Sequence, residues 1–366
     1  MEKVKLGQLT NIKTGRLDVN AENPNGKYPF FTCSKNHTYI DEYAFDGESV
    51  LVAGNGDLNV KYYNGKFNAY QRTYVIQANE NLNGKFLYYF LDSYVEKLRE
   101  QSIGGVIKYI KLGNLTDAEI PLPPLATQQR IATILDQANA IIQNNRAIVQ
   151  KYDALTQSLF LEMFGDPVKN EKGWEIRKME EISLKITDGT HQSPNFLKEG
   201  IPFLLVSNIV NNKINYKTNK FISEEDFETL NKRTPIEIGN ILLTSVGSYG
   251  NPAIIESEMK FAFQRHIAFI KPNHSKINYH FLFHFLKSDS IKREIDKKVK
   301  GAAQKTYNLI ELKNLRIISP PINFQNQFAE RVAVIEAQKQ QAQLALAKSE
   351  ELFASLLQRA FKGELN

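Results

Sequence analysis

His280 and His284 stand four residues apart, the spacing that places two imidazoles on one helix face as a metal pair. The glutamate of the metalloprotease signature is missing between them, because Phe281-Leu282-Phe283 fills the interval, and surface or half-buried helix histidines are the reading the pattern supports. No Gly-x-Ser-x-Gly elbow, Gly-Lys-Ser/Thr phosphate loop or Cys-His pair in a catalytic context occurs, so nucleophilic and phosphoryl chemistry have no candidate. Ser319-Pro320-Pro321-Ile322 invites comparison with the Asp/Asn-Pro-Pro-aromatic loop of adenine-modifying enzymes. The comparison fails: the proline pair recurs as Leu122-Pro123-Pro124-Leu125, again ahead of a long helical pattern, where proline suits the first turn.

The remaining pattern is one of recognition. Gly54-Asn55-Gly56-Asp57-Leu58-Asn59-Val60-Lys61-Tyr62 corresponds to Ser245-Val246-Gly247-Ser248-Tyr249-Gly250-Asn251, and both mix polar, aromatic and glycine residues. Asn and Gln can bond bidentately to adenine, Arg and Lys to guanine, and Gly or Ser lets backbone approach phosphate. This makes Asn55, Asn59, Lys61, Ser248, Tyr249 and Asn251 candidate DNA contacts. Gln71-Arg72 and Gln264-Arg265 follow a strand pattern in each half and join the set, with an exposed strand end as the competing reading. Lys108 and Lys305, each a few residues behind a glycine, are candidates for phosphate. Thr190 and His191 complete the set from Asp188-Gly189-Thr190-His191, which could equally be a bare Asx-capped turn.

Those residues recur because the chain repeats itself. Shifted by 197 positions, residues 104–164 align with 301–361 without a gap, and 16 of the 61 positions are identical. The identities include Gly104/Gly301, Lys108/Lys305, the proline pairs, Gln128/Gln325, Leu155/Leu352 and Phe164/Phe361. Upstream, Tyr28-Pro29-Phe30 matches Ile201-Pro202-Phe203 and Gln71-Arg72 matches Gln264-Arg265 at smaller offsets, so the second copy carries insertions before Ile241-Leu242-Leu243. Insertions belong in surface loops, where specificity is usually carried.

Each copy predicts the same elements. Apolar strands such as Val50-Leu51-Val52 come first, and Tyr62-Tyr63-Asn64-Gly65-Lys66-Phe67 carries the Asn-Gly signal of a tight hairpin. An amphipathic helix follows, with Phe86, Leu87, Phe90, Leu91, Tyr94 and Leu98 on one face, answered by Phe281, Leu282, Phe285 and Leu286. After Pro123-Pro124, Ile131, Ile134, Ala138, Ile141, Ile148, Tyr152, Leu155 and Leu159 step by three and four, a coiled-coil seam with Asn145 in its one polar place. In the matching helix Arg331 and Gln338 fall where this seam expects apolar residues. The expected fold is α+β: two similar recognition domains at 1–122 and 166–319, each followed by a long helix, 123–165 and 320–366. The two helices are expected to pair as an antiparallel coiled coil with pseudo-twofold symmetry.

Composition agrees. With 366 residues, 42% hydrophobic and 23% charged, the chain is long enough for two packed domains. No run approaches the roughly 18 apolar residues of a membrane helix, and no apolar signal core opens the chain, so a cytoplasmic protein without a membrane partner is expected. The single Cys33 can build no internal disulfide. The net charge of +6 lies in the segment 166–319, which holds 24 basic and 18 acidic residues and favours a polyanionic partner weakly.

Taken together, these motifs resemble the specificity subunits of type I restriction-modification systems over the whole chain. The resemblance is carried by Ile120-Pro121-Leu122-Pro123-Pro124-Leu125 to Gln128-Gln129-Arg130-Ile131-Ala132, Met163-Phe164-Gly165-Asp166-Pro167 with Gly173-Trp174, Thr187-Asp188-Gly189-Thr190-His191, and Ala360-Phe361-Lys362-Gly363-Glu364-Leu365. Ile322-Asn323-Phe324-Gln325-Asn326-Gln327 keeps only part of the family pattern. The resemblance implies a non-catalytic subunit that reads a bipartite, asymmetric target in double-stranded DNA and docks two modification subunits, with restriction subunits as further partners. It also implies no cofactor on this chain, S-adenosylmethionine, ATP and Mg belonging to the partners. Two other classes compete: a coiled-coil adaptor with protein-binding end domains, and a self-contained DNA methyltransferase, which lacks its motifs here.

Overall fold

The computed structural model describes residues 2–301 and 305–365. Two compact units emerge, Met1–Ala147 with Ala342–Asn366, and Ile148–Gln341. Each contains one half of the sequence repeat and parts of both long helices, which run Leu125–Phe164 and Ile322–Lys362.

In the first unit an antiparallel sheet has the order Thr10–Thr14, Thr73–Ala78, Glu48–Ala53, Val60–Asn64. One face, with Val50, Val52 and Ile76, packs against Phe86, Leu87, Phe90 and Leu91 of the helix Gly84–Gln101, in one core with Ile131 and Leu135 of the first long helix. The other face, with Leu51 and Val75, packs against Phe31 and Phe67 beside a small sheet of Thr38–Ile40, Tyr28–Phe31 and Asn68–Ala69. Asn83 caps the helix, its side chain accepting from the Phe86 N–H.

The second unit repeats this plan. Its sheet runs Ser183–Asp188, Ile267–Pro272, Ile241–Thr244, Pro252–Ile254, and the helix is broken at Ser288 into Tyr279–Lys287 and Asp289–Lys298. The strand Phe221–Ile222 pairs with Ile201–Leu204 as Thr38–Ile40 pairs with Tyr28–Phe31, and the insertion before Ile241 adds the hairpin Ile209–Val210/Lys213–Ile214 and the helix Glu224–Arg233.

Two expectations are corrected. Asn64-Gly65 is not a hairpin turn: Gly65 exchanges backbone hydrogen bonds with Gly47, at 3.2 and 3.4 Å, and the chain runs on to pair Phe67 with Phe45. Gly65 takes a φ of +139, so it kinks the ladder instead of reversing it. The coiled-coil seam also has a different phase. Leu135, Ile142 and Thr156 are buried, whereas Ile141, Ile148 and Leu155 are 51%, 42% and 49% exposed. The inner positions of the first helix are therefore 131, 135, 138, 142, 145, 149, 152 and 156. The same phase shifted by 197 gives Phe328, Val332, Ile335, Lys339, Ala342, Leu346, Ser349 and Phe353, all buried or half-buried, which removes Arg331 and Gln338 from the seam.

Within each unit the helix segments are antiparallel. In the first, Asn145 donates to Ser349 Oγ at 3.3 Å and Arg146 to Glu350 at 2.6 Å. In the second, Lys339 lies 2.7 Å from Asp153, and Phe160 and Phe164 pack edge-on against Phe328.

Candidate nucleic-acid interface

Because all four strands of the main sheet are antiparallel, the segment after Thr14, the segment before Thr73 and the connection from Ala53 to Val60 share one end of the first unit. Gly54 sits close to its neighbour there: its N–H donates to the Arg72 carbonyl at 2.8 Å, and a Cβ at this position would lie 2.4 Å from that oxygen. Its own carbonyl accepts from the Ile110 N–H at 2.9 Å, and the Gly56 N–H donates to the Lys108 carbonyl at 3.0 Å. The turn 54–56 and the segment bearing Lys108 are thereby fastened to each other.

The second unit builds the same joint from different residues. The Ser245 N–H donates to the His266 carbonyl at 2.9 Å, Tyr307 N–H to the Ser245 carbonyl at 2.8 Å, and Gly247 N–H to the Lys305 carbonyl at 3.2 Å. The turn after Asp188 joins this end through the bridge between Thr190 and Gln264. Each unit therefore gathers its own candidates at one sheet end: Asn55, Asn59, Lys61, Gln71, Arg72 and Lys108 in the first, and Thr190, His191, Ser248, Tyr249, Asn251, Gln264, Arg265 and Lys305 in the second.

Their side chains differ in availability. Asn55, Arg72, Lys108, Ser248, Gln264 and Lys305 have no side-chain hydrogen bond or ion pair among the described residues, and Arg265 donates only to the adjacent His266 at 3.3 Å. Others have internal partners. Asn59 donates to the Cys33 and Asp57 carbonyls, both at 2.8 Å, and accepts from Lys61. Lys61 also reaches the Thr32 carbonyl at 3.3 Å, and burial pushes its ammonium down to about 8. Gln71 donates to Asp18 at 2.9 Å and Tyr249 to Asp296 at 2.9 Å; that bond holds the phenol above its ordinary value. Thr190 donates to the Gln192 carbonyl at 2.8 Å, and Asn251 donates to that of Ser248 at 2.7 Å.

His191 contacts Asp188 Oδ2 at 2.9 Å, and the other oxygen of that carboxylate accepts from Arg233 at 2.6 Å. Arg233 is a member of this end that the motifs do not show. It arrives on the inserted helix Glu224–Arg233, so the position of the insertion was its only signal in the sequence.

The histidine pair lies elsewhere. His284 is buried, its ring edge-on to Phe328, and burial with the nearby Lys287, His280 and Lys339 holds its imidazole down at about 3. Among the described residues no three His, Cys, Asp or Glu side chains form a group that could hold a metal ion. Among them, too, no helix is long and apolar enough to cross a membrane.

Comparison with known proteins bears on this arrangement. The family model described as the type I restriction modification DNA specificity domain matches residues 1–151 and 171–345. The chain is similar to the Escherichia coli type I restriction enzyme EcoDI specificity subunit, with 29% identity over 396 residues covering 99% of this chain and 88% of that protein. The EcoBI specificity subunit of Escherichia coli is 27% identical, over 87% of this chain and 74% of that protein. Among solved structures, the S subunit of a type I restriction-modification system from M. genitalium shares the fold with a TM-score of 0.62 at 19% identity, covering 98% of this chain and 96% of that one. A chain from a study of complex assembly and conformational transition in the type I system matches with a TM-score of 0.59 at 17% identity, over 100% and 98% of the two chains.

Proposed function

The chain belongs to the type I restriction-modification DNA specificity family, and we propose that it is the subunit that reads a two-part, asymmetric DNA target and docks the modification subunits. The observation that carries this reading is the doubled joint: Gly56 to Lys108 and Gly247 to Lys305 hold the same backbone frame, with a Gln-Arg pair beside each, while the turn residues differ, Asn55, Asn59 and Lys61 against Ser248, Tyr249 and Asn251. A conserved frame with different reading residues suits two half-sites of different sequence. The unpartnered lysines supply phosphate contact, and the amide and guanidinium groups beside them supply base contact.

In this reading the chain performs no chemistry. Methyl transfer with S-adenosylmethionine, and any ATP- and Mg-dependent cleavage, would reside on two modification subunits and on restriction subunits, in the cytoplasm where the DNA is. The long helices would be the spacer between half-sites and the docking surface for those partners. A coiled-coil adaptor with protein-binding ends gives no reason for the same cationic joint to be built twice. The direct test is methylome sequencing of cells that express the chain with its partner subunits. The expected result is methylation at one motif in two unlike parts separated by a fixed unspecified gap. A single continuous motif, or a palindrome, would overturn the reading.

A further inference from the structure

The turn that carries Lys108 also carries an apolar tip. Ile103 and Tyr109 pair across its base, exchanging hydrogen bonds of 3.0 and 2.9 Å. Gly104, with a φ of +115, closes the turn so tightly that a Cβ there would lie 2.5 Å from the Ile107 carbonyl oxygen. Val106 and Ile107 are left at the apex, 103% and 61% exposed. Two adjacent β-branched side chains held outward on a hydrogen-bonded base are stiff and poorly hydrated, and such a patch marks an interaction site more often than an isolated exposed residue does.

The neighbouring groups identify the occupant. Lys108 follows the apex directly, its carbonyl is bound to Gly56, Asn55 pairs with Tyr109, and Gly54 is bonded to Arg72. The base of the tip is therefore fastened by its backbone to segments that carry Lys108, Asn55 and Arg72, whose side chains have no partner among the described residues, and this cationic and amide neighbourhood complements a phosphate backbone better than a protein or lipid surface. We propose that Val106 and Ile107 form an apolar base-reading tip that enters the groove of the first half-site, with Lys108 on the adjacent phosphate. Apolar side chains read DNA either against a thymine methyl or by wedging into a base step, and both use the same surface. The second copy has Ala303 and Gln304 aligned with Val106 and Ile107, so the β-branched pair is confined to the first copy. The inference rests on the reading of this sheet end as the DNA-facing one.

The test selects bound duplexes from a library with both half-sites randomised, using the full-length chain and its Val106→Ser/Ile107→Ser double variant. The side chains are exposed, so the variant should fold as the parent does. The expected result is binding about tenfold weaker, with relaxed preference at one or two adjacent positions of the first half-site and none lost in the second. At those positions, deoxyuridine in place of thymine identifies a methyl contact, and a rise in 2-aminopurine fluorescence identifies an unstacked step. Parental affinity and preference, or a loss uniform over all sequences, would overturn the proposal. Arg72→Ala separates the two readings: if it alters first-half-site preference while the double variant does not, only the tip fails. If neither alters it, the DNA-facing assignment of this end fails as well.

Discussion

Gln128 Oε1 accepts a hydrogen bond from the Asn83 N–H at 2.9 Å, and Gln325 Oε1 accepts one from the Asn278 N–H at 2.9 Å. Each asparagine caps the helix that packs on its sheet. Each glutamine, buried at the start of a long helix, also donates twice, Gln128 to Pro123 and Asn81 and Gln325 to Pro320 and Lys276. Two helices in each unit are thus joined through one amide.

Replacing that amide should be costly. Gln128→Ala or Gln325→Ala leaves a buried N–H and two carbonyls without their partner, and the expected loss is about 2–4 kcal/mol in urea unfolding. A loss no larger than that of an exposed helix substitution would show that water replaces the amide.

The phase of the seam can be tested with neighbouring isoleucines. Ile142, 5% exposed, should cost about 2–4 kcal/mol when replaced by alanine. Ile141, 51% exposed, should cost less than about 1 kcal/mol. The reverse order would restore the phase expected from the sequence.

His284 should make the second unit sensitive to acid. Burial and the nearby cations lower its folded pKa from 6.5 to about 3, so between those values the unfolded chain binds the proton and the folded chain does not. Its contribution to stability is complete above about pH 6.5 and is lost as pH falls towards 3. Thermal unfolding at pH 7 and pH 5 should show a larger drop for the parent than for His284→Phe, and equal drops would sink the assignment.

Phosphate and base contacts should separate in binding. Lys108→Ala and Lys305→Ala are expected to weaken all duplexes alike and to make the salt dependence shallower by about one. Gln264→Ala and Arg265→Ala are expected to shift preference at positions of the second half-site. Uniform losses for all four would reject the division of roles.

The spacer role predicts a change of gap. Removing residues 146–152 together with 342–348 takes one heptad from each helix between the Asn145–Ser349 contact and the Asp153–Lys339 pair. The seam stays in phase while about 10 Å of helix is lost, close to three base pairs of B-DNA. Selection from duplexes with randomised gaps should return a shorter gap and unchanged half-sites; an unaltered gap in a folded variant would refute the ruler.

The sequence by itself determined the repeat, the order of elements, the long helices and the glycine turns, because these depend on local periodicity and on backbone freedom at single positions. It could not choose the seam. Ile134, Ile141, Ile148 and Leu155 form one nearly apolar column, and Leu135, Ile142, Val149 and Thr156 form the next, so which column is buried depends on where the partner helix lies. The Asn64-Gly65 signal likewise lost to pairing with Gly47, a contact that local turn chemistry does not contain. At the candidate interface the loops were legible but the availability of their side chains was not. Asn59 is engaged by Cys33, 26 residues away, and Gln71 by Asp18, 53 away. Tertiary structure decided which polar groups remain for a ligand, because a hydrogen bond between distant segments leaves no periodicity in the chain.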